Sequence, residues 1–62
     1  MSAYREYLSS AMGYLKGAQR TGDHVWARFA MVDAQLAWQR ATSSDQRVEA
    51  SAIIGAAEEI IS

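Results

Sequence analysis

The chain has 62 residues, half of them hydrophobic, and its six basic and seven acidic side chains give it a formal net charge of −1. This length allows one small domain, and such a domain buries only about 60% of the surface that its unfolded chain exposes. With no Cys and one His, neither a disulfide nor a structural metal is expected to stabilise it. Close helix packing and oligomerisation remain as sources of stability.

Composition also argues against several classes of function. The small net charge provides no basic surface for nucleic acid. No run of about 20 apolar residues occurs, so the sequence predicts no membrane-spanning segment. The absence of Cys is typical of a reducing compartment, and no signal peptide is recognisable, so we expect a cytoplasmic protein.

The first predicted helix covers about residues 3–19 and is apolar on one face. Its apolar residues recur at the helical spacings of four and three: Tyr4, Leu8, Ala11, Leu15 and Ala18. Gly22 then ends the helix, and Asp23 caps the next one. Gly13 and Gly17 lie on the polar side, where we expect solvent exposure to tolerate them, although their spacing also permits close approach of another segment.

The second predicted helix, about residues 23–41, is apolar on two opposed faces. One face carries a stripe of larger residues: Val25, Phe29, Val32 and Leu36. The other face is rich in alanine and tryptophan: Trp26, Ala27, Ala30, Met31, Ala34, Ala37, Trp38 and Ala41. Arg28, Asp33 and Arg40 lie in the narrow seams between the faces, which argues against membrane insertion. The sequence leaves open whether these charges pair with other helices or chains or are simply solvated. A helix of this kind needs cover on two sides.

The third predicted helix covers about residues 44–61. Ser43 and Gln46 have the spacing of a capping box at its start, although the hydroxyl residues of this break are also compatible with a bent continuous helix. Its apolar arc consists of Ala50, Ile53, Ile54, Ala57, Ile60 and Ile61. This arc is expected to pack against the alanine face of the second helix.

These elements predict an all-α fold, a two- to three-helix antiparallel hairpin or bundle in which residues 1–62 form one domain. Two opposed faces of one helix cannot both meet a single core. Either the three helices form a flat layer, or the apolar face that the core does not cover meets a second copy of the chain. We favour a homo-oligomer, and a dimer in particular. The predicted interface residues are Trp26, Ala30, Met31, Ala34, Ala37, Trp38, Ile54 and Ile61.

The turn between the first two helices resembles the inter-helix turn of a tetratricopeptide repeat. The resemblance rests on the segment from Ala18 to Asp23 and on Ala27, which follows Asp23 by four residues. Leu15 stands where the repeat has Gly, and no Pro follows the second helix. The resemblance covers one hairpin and does not assign the chain to the family, but it implies a protein-binding module.

No residue is predicted to be catalytic or to hold a cofactor or metal. His24 has no second His or Cys as a partner, and the carboxylates fit helix starts and solvated faces. We therefore expect a non-enzymatic interaction protein that self-associates and acts as a small adaptor, regulatory subunit or inhibitor of a larger protein. The alternative is a carrier or sensor of a small ligand, with a cavity lined by Trp26, Phe29, Met31 and Trp38. The sequence leaves open whether the two tryptophans belong to the core or to an interface.

Overall fold

The computed structural model describes residues 2–62 and contains three helices: α1 (Ala3–Thr21), α2 (His24–Gln39) and α3 (Ser44–Ile61). They form a three-helix bundle with Cα dimensions of 31 × 20 × 14 Å. The predicted all-α fold is confirmed, and each predicted helix end lies within two residues of the observed one. In the part of the chain that the structure describes, none of the helices has the length and hydrophobicity needed to cross a membrane.

The helix α2 is the central element of the bundle. It packs against both α1 and α3, which touch each other over a smaller area. Tyr4 near the start of α1 meets Gln46 near the start of α3, so these two helices run in the same direction. The short turn after α1 makes α2 antiparallel to both.

The turn between α1 and α2 depends on a glycine and a capping aspartate. Gly22 adopts φ 74°, in the left-handed region, and its N–H donates to the carbonyl of Ala18 at 2.6 Å. A side chain with a Cβ is strained in that conformation, which explains the glycine. The Asp23 carboxylate then accepts from the N–H groups of Val25 at 2.8 Å and Trp26 at 3.3 Å. The predicted helix end is confirmed.

The break between α2 and α3 is also a true break, with a capping box that differs from the predicted one. The Ser43 hydroxyl accepts from the N–H of Gln46 at 3.2 Å, as its spacing predicts. The Gln46 side chain, however, accepts from the N–H of Thr42 at 2.8 Å, one residue before the N-cap. Two backbone N–H groups at the start of α3 thereby find acceptors. The alternative of a continuous bent helix is excluded.

The core consists mainly of small side chains. Among residues 2–62, eleven hydrophobic residues are buried, and eight of them are alanines. The central helix contributes only alanines to this set: Ala27, Ala30, Ala34 and Ala37. The larger buried side chains come from its neighbours: Tyr4 and Leu8 from α1 and Ile53 from α3. Because a methyl group occupies little space, both neighbours approach α2 closely on the same side.

A buried tyrosine connects α1 to α3. The Tyr4 hydroxyl lies 2.5 Å from Oε1 of Glu49 and 3.0 Å from the Gln46 carbonyl, and it donates toward both. Burial raises the pKa of Tyr4 to about 12, and the hydrogen bond to the Glu49 carboxylate and its negative charge act in the same direction. The phenol is therefore held in its neutral, donating form.

The two glycines of α1 have different surroundings. A Cβ at Gly13 would meet no atom within 4 Å, as expected for a solvated face. A Cβ at Gly17 would overlap the six-membered ring of Trp26, at its Cε3 and Cζ3 atoms. The expectation that both are merely tolerated is therefore correct for Gly13 and wrong for Gly17, because the turn brings Trp26 back onto α1. Gly17 is the position at which the ring lies against the helix backbone.

Alanine substitutions at the two glycines are expected to have opposite effects. Gly13→Ala gains helix propensity at an unobstructed position and should raise the free energy of unfolding by about 0.5 to 1 kcal/mol. Gly17→Ala gains the same propensity but displaces the Trp26 ring, and should lower that free energy by about 1 to 2 kcal/mol. Urea unfolding followed by circular dichroism measures both. Equal stabilisation by the two substitutions would show that Trp26 does not pack on α1.

Alkaline pH is expected to weaken the fold through Tyr4. The pKa of this phenol rises from its ordinary value of 10.0 to about 12 on folding, so the unfolded chain ionises first. The stabilisation is complete below pH 10 and is lost as the pH rises from 10 to about 12. Urea midpoints measured between pH 8 and 12 should fall steeply for the unmodified chain and less for Tyr4→Phe. Tyr14→Phe, at a more exposed ring, is the control and should keep the steep fall.

Candidate interaction surface

Large apolar side chains form a row on the outer face of α2. Val25, Phe29 and Val32 are 55%, 49% and 52% exposed, and the half-buried Leu36 continues the row. We call these four residues the α2 strip. Val32 lies about 160° around the helix from the buried Ala30, so it faces away from the alanines that α1 and α3 cover. The strip is therefore an apolar surface that the chain itself covers only in part, at Phe29 and Leu36.

An aromatic contact borders the strip on the side of α1. The ring of Tyr14 packs against Phe29, with centroids 5.4 Å apart and the planes tilted by 57°. Both rings, with Val32 and Asp33, line a shallow open depression. The Asp33 carboxylate accepts a hydrogen bond from the Ser10 hydroxyl at 2.6 Å, which connects the two helices beside the rings. These contacts hold Phe29 in place while half of its surface stays exposed.

The three charged residues predicted to lie between the faces of the second helix have distinct surroundings. The Arg40 guanidinium lies over the Tyr7 ring, 5.0 Å from its centroid, in a cation–π arrangement. Asp33 is half-buried against α1, whereas Arg28 is exposed. Two of the three charges thus contact α1 in the same chain, and Arg28 is available at the edge of the strip.

The alanine face of α2 lies inside the chain. Ala30, Ala34 and Ala37 are each 0% exposed within a single copy. These three residues, predicted to lie at an interface with a second copy, are therefore covered by α1 and α3 within one chain. Both apolar faces of α2 exist, as the sequence predicts, but the small residues accommodate two close helices, and the large ones are left outside. The helical periodicity of the sequence does not show which of the two apolar faces is buried. The volume of the side chains on each face decides it.

The remaining predicted interface residues lie around the edges of the bundle. Trp26 and Trp38 are each 44% exposed. Met31, Ile54 and Ile61 are half-buried and pack against the alanine clusters. These five side chains are thus partly core and partly surface.

The four residues predicted to line a ligand cavity lie apart from one another. Trp26 packs toward Gly17 on α1, and Phe29 packs against Tyr14. Met31 instead packs against a cluster of buried alanines from all three helices. The structure therefore does not bring them together as one site.

Groups with chemical reactivity are dispersed. Within residues 2–62, no three His, Cys, Asp or Glu side chains are close enough to hold a metal ion. His24 is exposed at the start of α2. A wide, open groove along the outside of α1 carries both signs of charge, including Arg5, Glu6 and Lys16. The α2 strip differs from that groove in being continuous and apolar.

Comparison with known proteins identifies no relative: no family model, no curated protein and no solved structure matches this chain. The turn that resembles a tetratricopeptide repeat has a local explanation in the left-handed conformation of Gly22 and the capping bonds of Asp23.

A pair of leucine substitutions distinguishes the core face of α2 from its outer face. Ala34→Leu inserts three carbon atoms into a fully buried position and should lower the free energy of unfolding by about 1 to 3 kcal/mol. Val32→Leu adds one carbon on the exposed strip and should change it by about 0.5 kcal/mol or less. Thermal unfolding of dilute samples measures both. An Ala34→Leu chain that folds as stably as the unmodified chain would place Ala34 outside the core.

Proposed function

We propose that this chain is a helical protein–protein interaction module that self-associates through the α2 strip. The observation that carries the proposal is the row of half-exposed Val25, Phe29 and Val32 on the central helix. Burying a large apolar side chain contributes about 1.5 to 3 kcal/mol relative to full exposure, so covering these three stabilises any complex that does so.

The spacing of the strip favours another helix as its cover. Val25, Phe29, Val32 and Leu36 follow one another at intervals of four, three and four, as the d and a positions of a heptad do. In a coiled coil, such side chains fit into the spaces between residues of a facing helix. Two copies of the chain each supply one such helix, and two-fold dimers are the commonest oligomers.

A surface distant from the strip supports a role as an adaptor or regulatory subunit. Trp38 is 44% exposed and lies about 120° around α2 from Val32. Pairing through the strip leaves this indole free, and tryptophan is enriched among residues that dominate binding to other proteins. A dimer of this kind presents two tryptophans to larger proteins while its own interface stays closed.

A charge introduced on the strip is expected to abolish self-association. Val32→Glu places a carboxylate at the centre of the proposed interface, where it would be buried without a partner. Sedimentation equilibrium from about 1 µM to 1 mM covers association free energies of about 4 to 8 kcal/mol. The unmodified chain should progress from monomer to dimer in this range, and Val32→Glu should stay monomeric.

The matched control is Val48→Glu. Val48 is 68% exposed on α3 and lies outside the strip, so the same substitution there should leave the dimer intact. Trp38→Ala should also leave it intact, because the indole lies away from the strip. Circular dichroism verifies that each variant remains helical. A monomeric unmodified chain at all concentrations, or equal effects of Val32→Glu and Val48→Glu, would contradict the proposal.

A further inference from the structure

We infer that the two copies pair through the α2 strip in antiparallel orientation, about a two-fold axis that passes between Ala30 and Met31. This inference rests on the proposed self-association and specifies its geometry. It identifies the partner of the strip as a second copy of the chain, because the strip is complementary in side-chain size to its own reverse.

The strip is complementary to its own reverse. When the order of its four residues is reversed, Phe29 exchanges places with Val32, and Leu36 exchanges places with Val25. Each larger side chain thus takes the position of a smaller one. Antiparallel alignment places Phe29 of each copy opposite Val32 of the other, and Val25 opposite Leu36. Each layer then combines one larger and one smaller side chain, and the two-fold axis repeats every pairing with the roles of the two copies exchanged.

A parallel alignment would produce uneven layers. It places Phe29 on Phe29 and Val32 on Val32, so that the most crowded layer lies next to one of the emptiest. A void of about one methyl group costs about 1 kcal/mol. Two-stranded parallel coiled coils also favour β-branched residues at a and leucine at d, whereas here the valines occupy d and Phe29 and Leu36 occupy a.

The charges beside the strip contribute little to the choice of orientation and do not oppose the antiparallel arrangement. In that arrangement Arg28 faces Gln35 of the second copy, and no like charges meet. The parallel arrangement brings Arg28 toward Asp33, but an exposed pair of this kind is worth only about 0 to 1 kcal/mol. Asp33 already accepts the Ser10 hydroxyl and is half-buried within its own chain. Antiparallel helix dipoles add a small favourable contribution. The packing of the layers therefore decides the orientation.

Spin labels on single cysteines measure the orientation, because the chain has no cysteine of its own. Arg28→Cys and Gln39→Cys place labels at exposed positions outside the four strip residues. Near the proposed axis, the two labels at position 28 are close in either orientation. At position 39, antiparallel copies separate the labels by about 25 Å along the helices, whereas parallel copies bring them side by side.

The inference predicts a short inter-label distance at position 28 and a distance above about 25 Å at position 39, measured by double electron–electron resonance. Val32→Glu in the labelled chains should remove both distances, which ties them to the strip. Short distances at both positions would overturn the antiparallel orientation and leave the proposed self-association standing. Absence of any inter-label distance in a monomeric, helical sample would overturn the proposed function as well.

Discussion

The close approach of α1 and α3 to the alanines of α2 is the constraint on which the rest of the structure depends. Ala27, Ala30, Ala34 and Ala37 are fully buried and project no more than a methyl group into the bundle. Two helices can therefore lie against one side of α2. Filling the core with small side chains leaves the larger ones of α2 no space inside, so they lie at the edges or on the outer face.

A core of this kind buries little apolar surface per residue, and specific contacts at its margins define how the helices are arranged. The Tyr4 hydroxyl connects α1 to the start of α3. On the other side of α1, the Trp26 ring lies against the bare backbone of Gly17, and the Ser10 hydroxyl binds Asp33. These contacts fix the relative orientation of the helices more precisely than hydrophobic packing alone would. A simple apolar–polar pattern predicts none of these contacts.

The same constraint explains why an exposed apolar surface lies on the central helix. The face of α2 opposite the alanines carries half-exposed valine and phenylalanine side chains at heptad spacing. In the proposed dimer this face becomes a second core, built from large residues where the first is built from small ones. One helix would then serve two interfaces that differ in side-chain volume. Trp38, on a third side of that helix, would stay exposed in that dimer.

The sequence by itself determined the three helical segments, their approximate ends and the two apolar faces of α2, and it left open whether the second and third segments form one bent helix. These properties depend on the helical repeat and on capping by Asp23 and Ser43, which act within a few residues along the chain. Tertiary structure alone decided which apolar face of α2 lies inside, and it placed Ala30, Ala34 and Ala37, predicted as interface residues, in the core of the chain. It also decided that Gly17 accommodates a ring from the next helix. Hydrophobicity is similar on both faces, and the choice between them depends on whether side-chain volumes fit helices distant in sequence, which only the packed structure specifies.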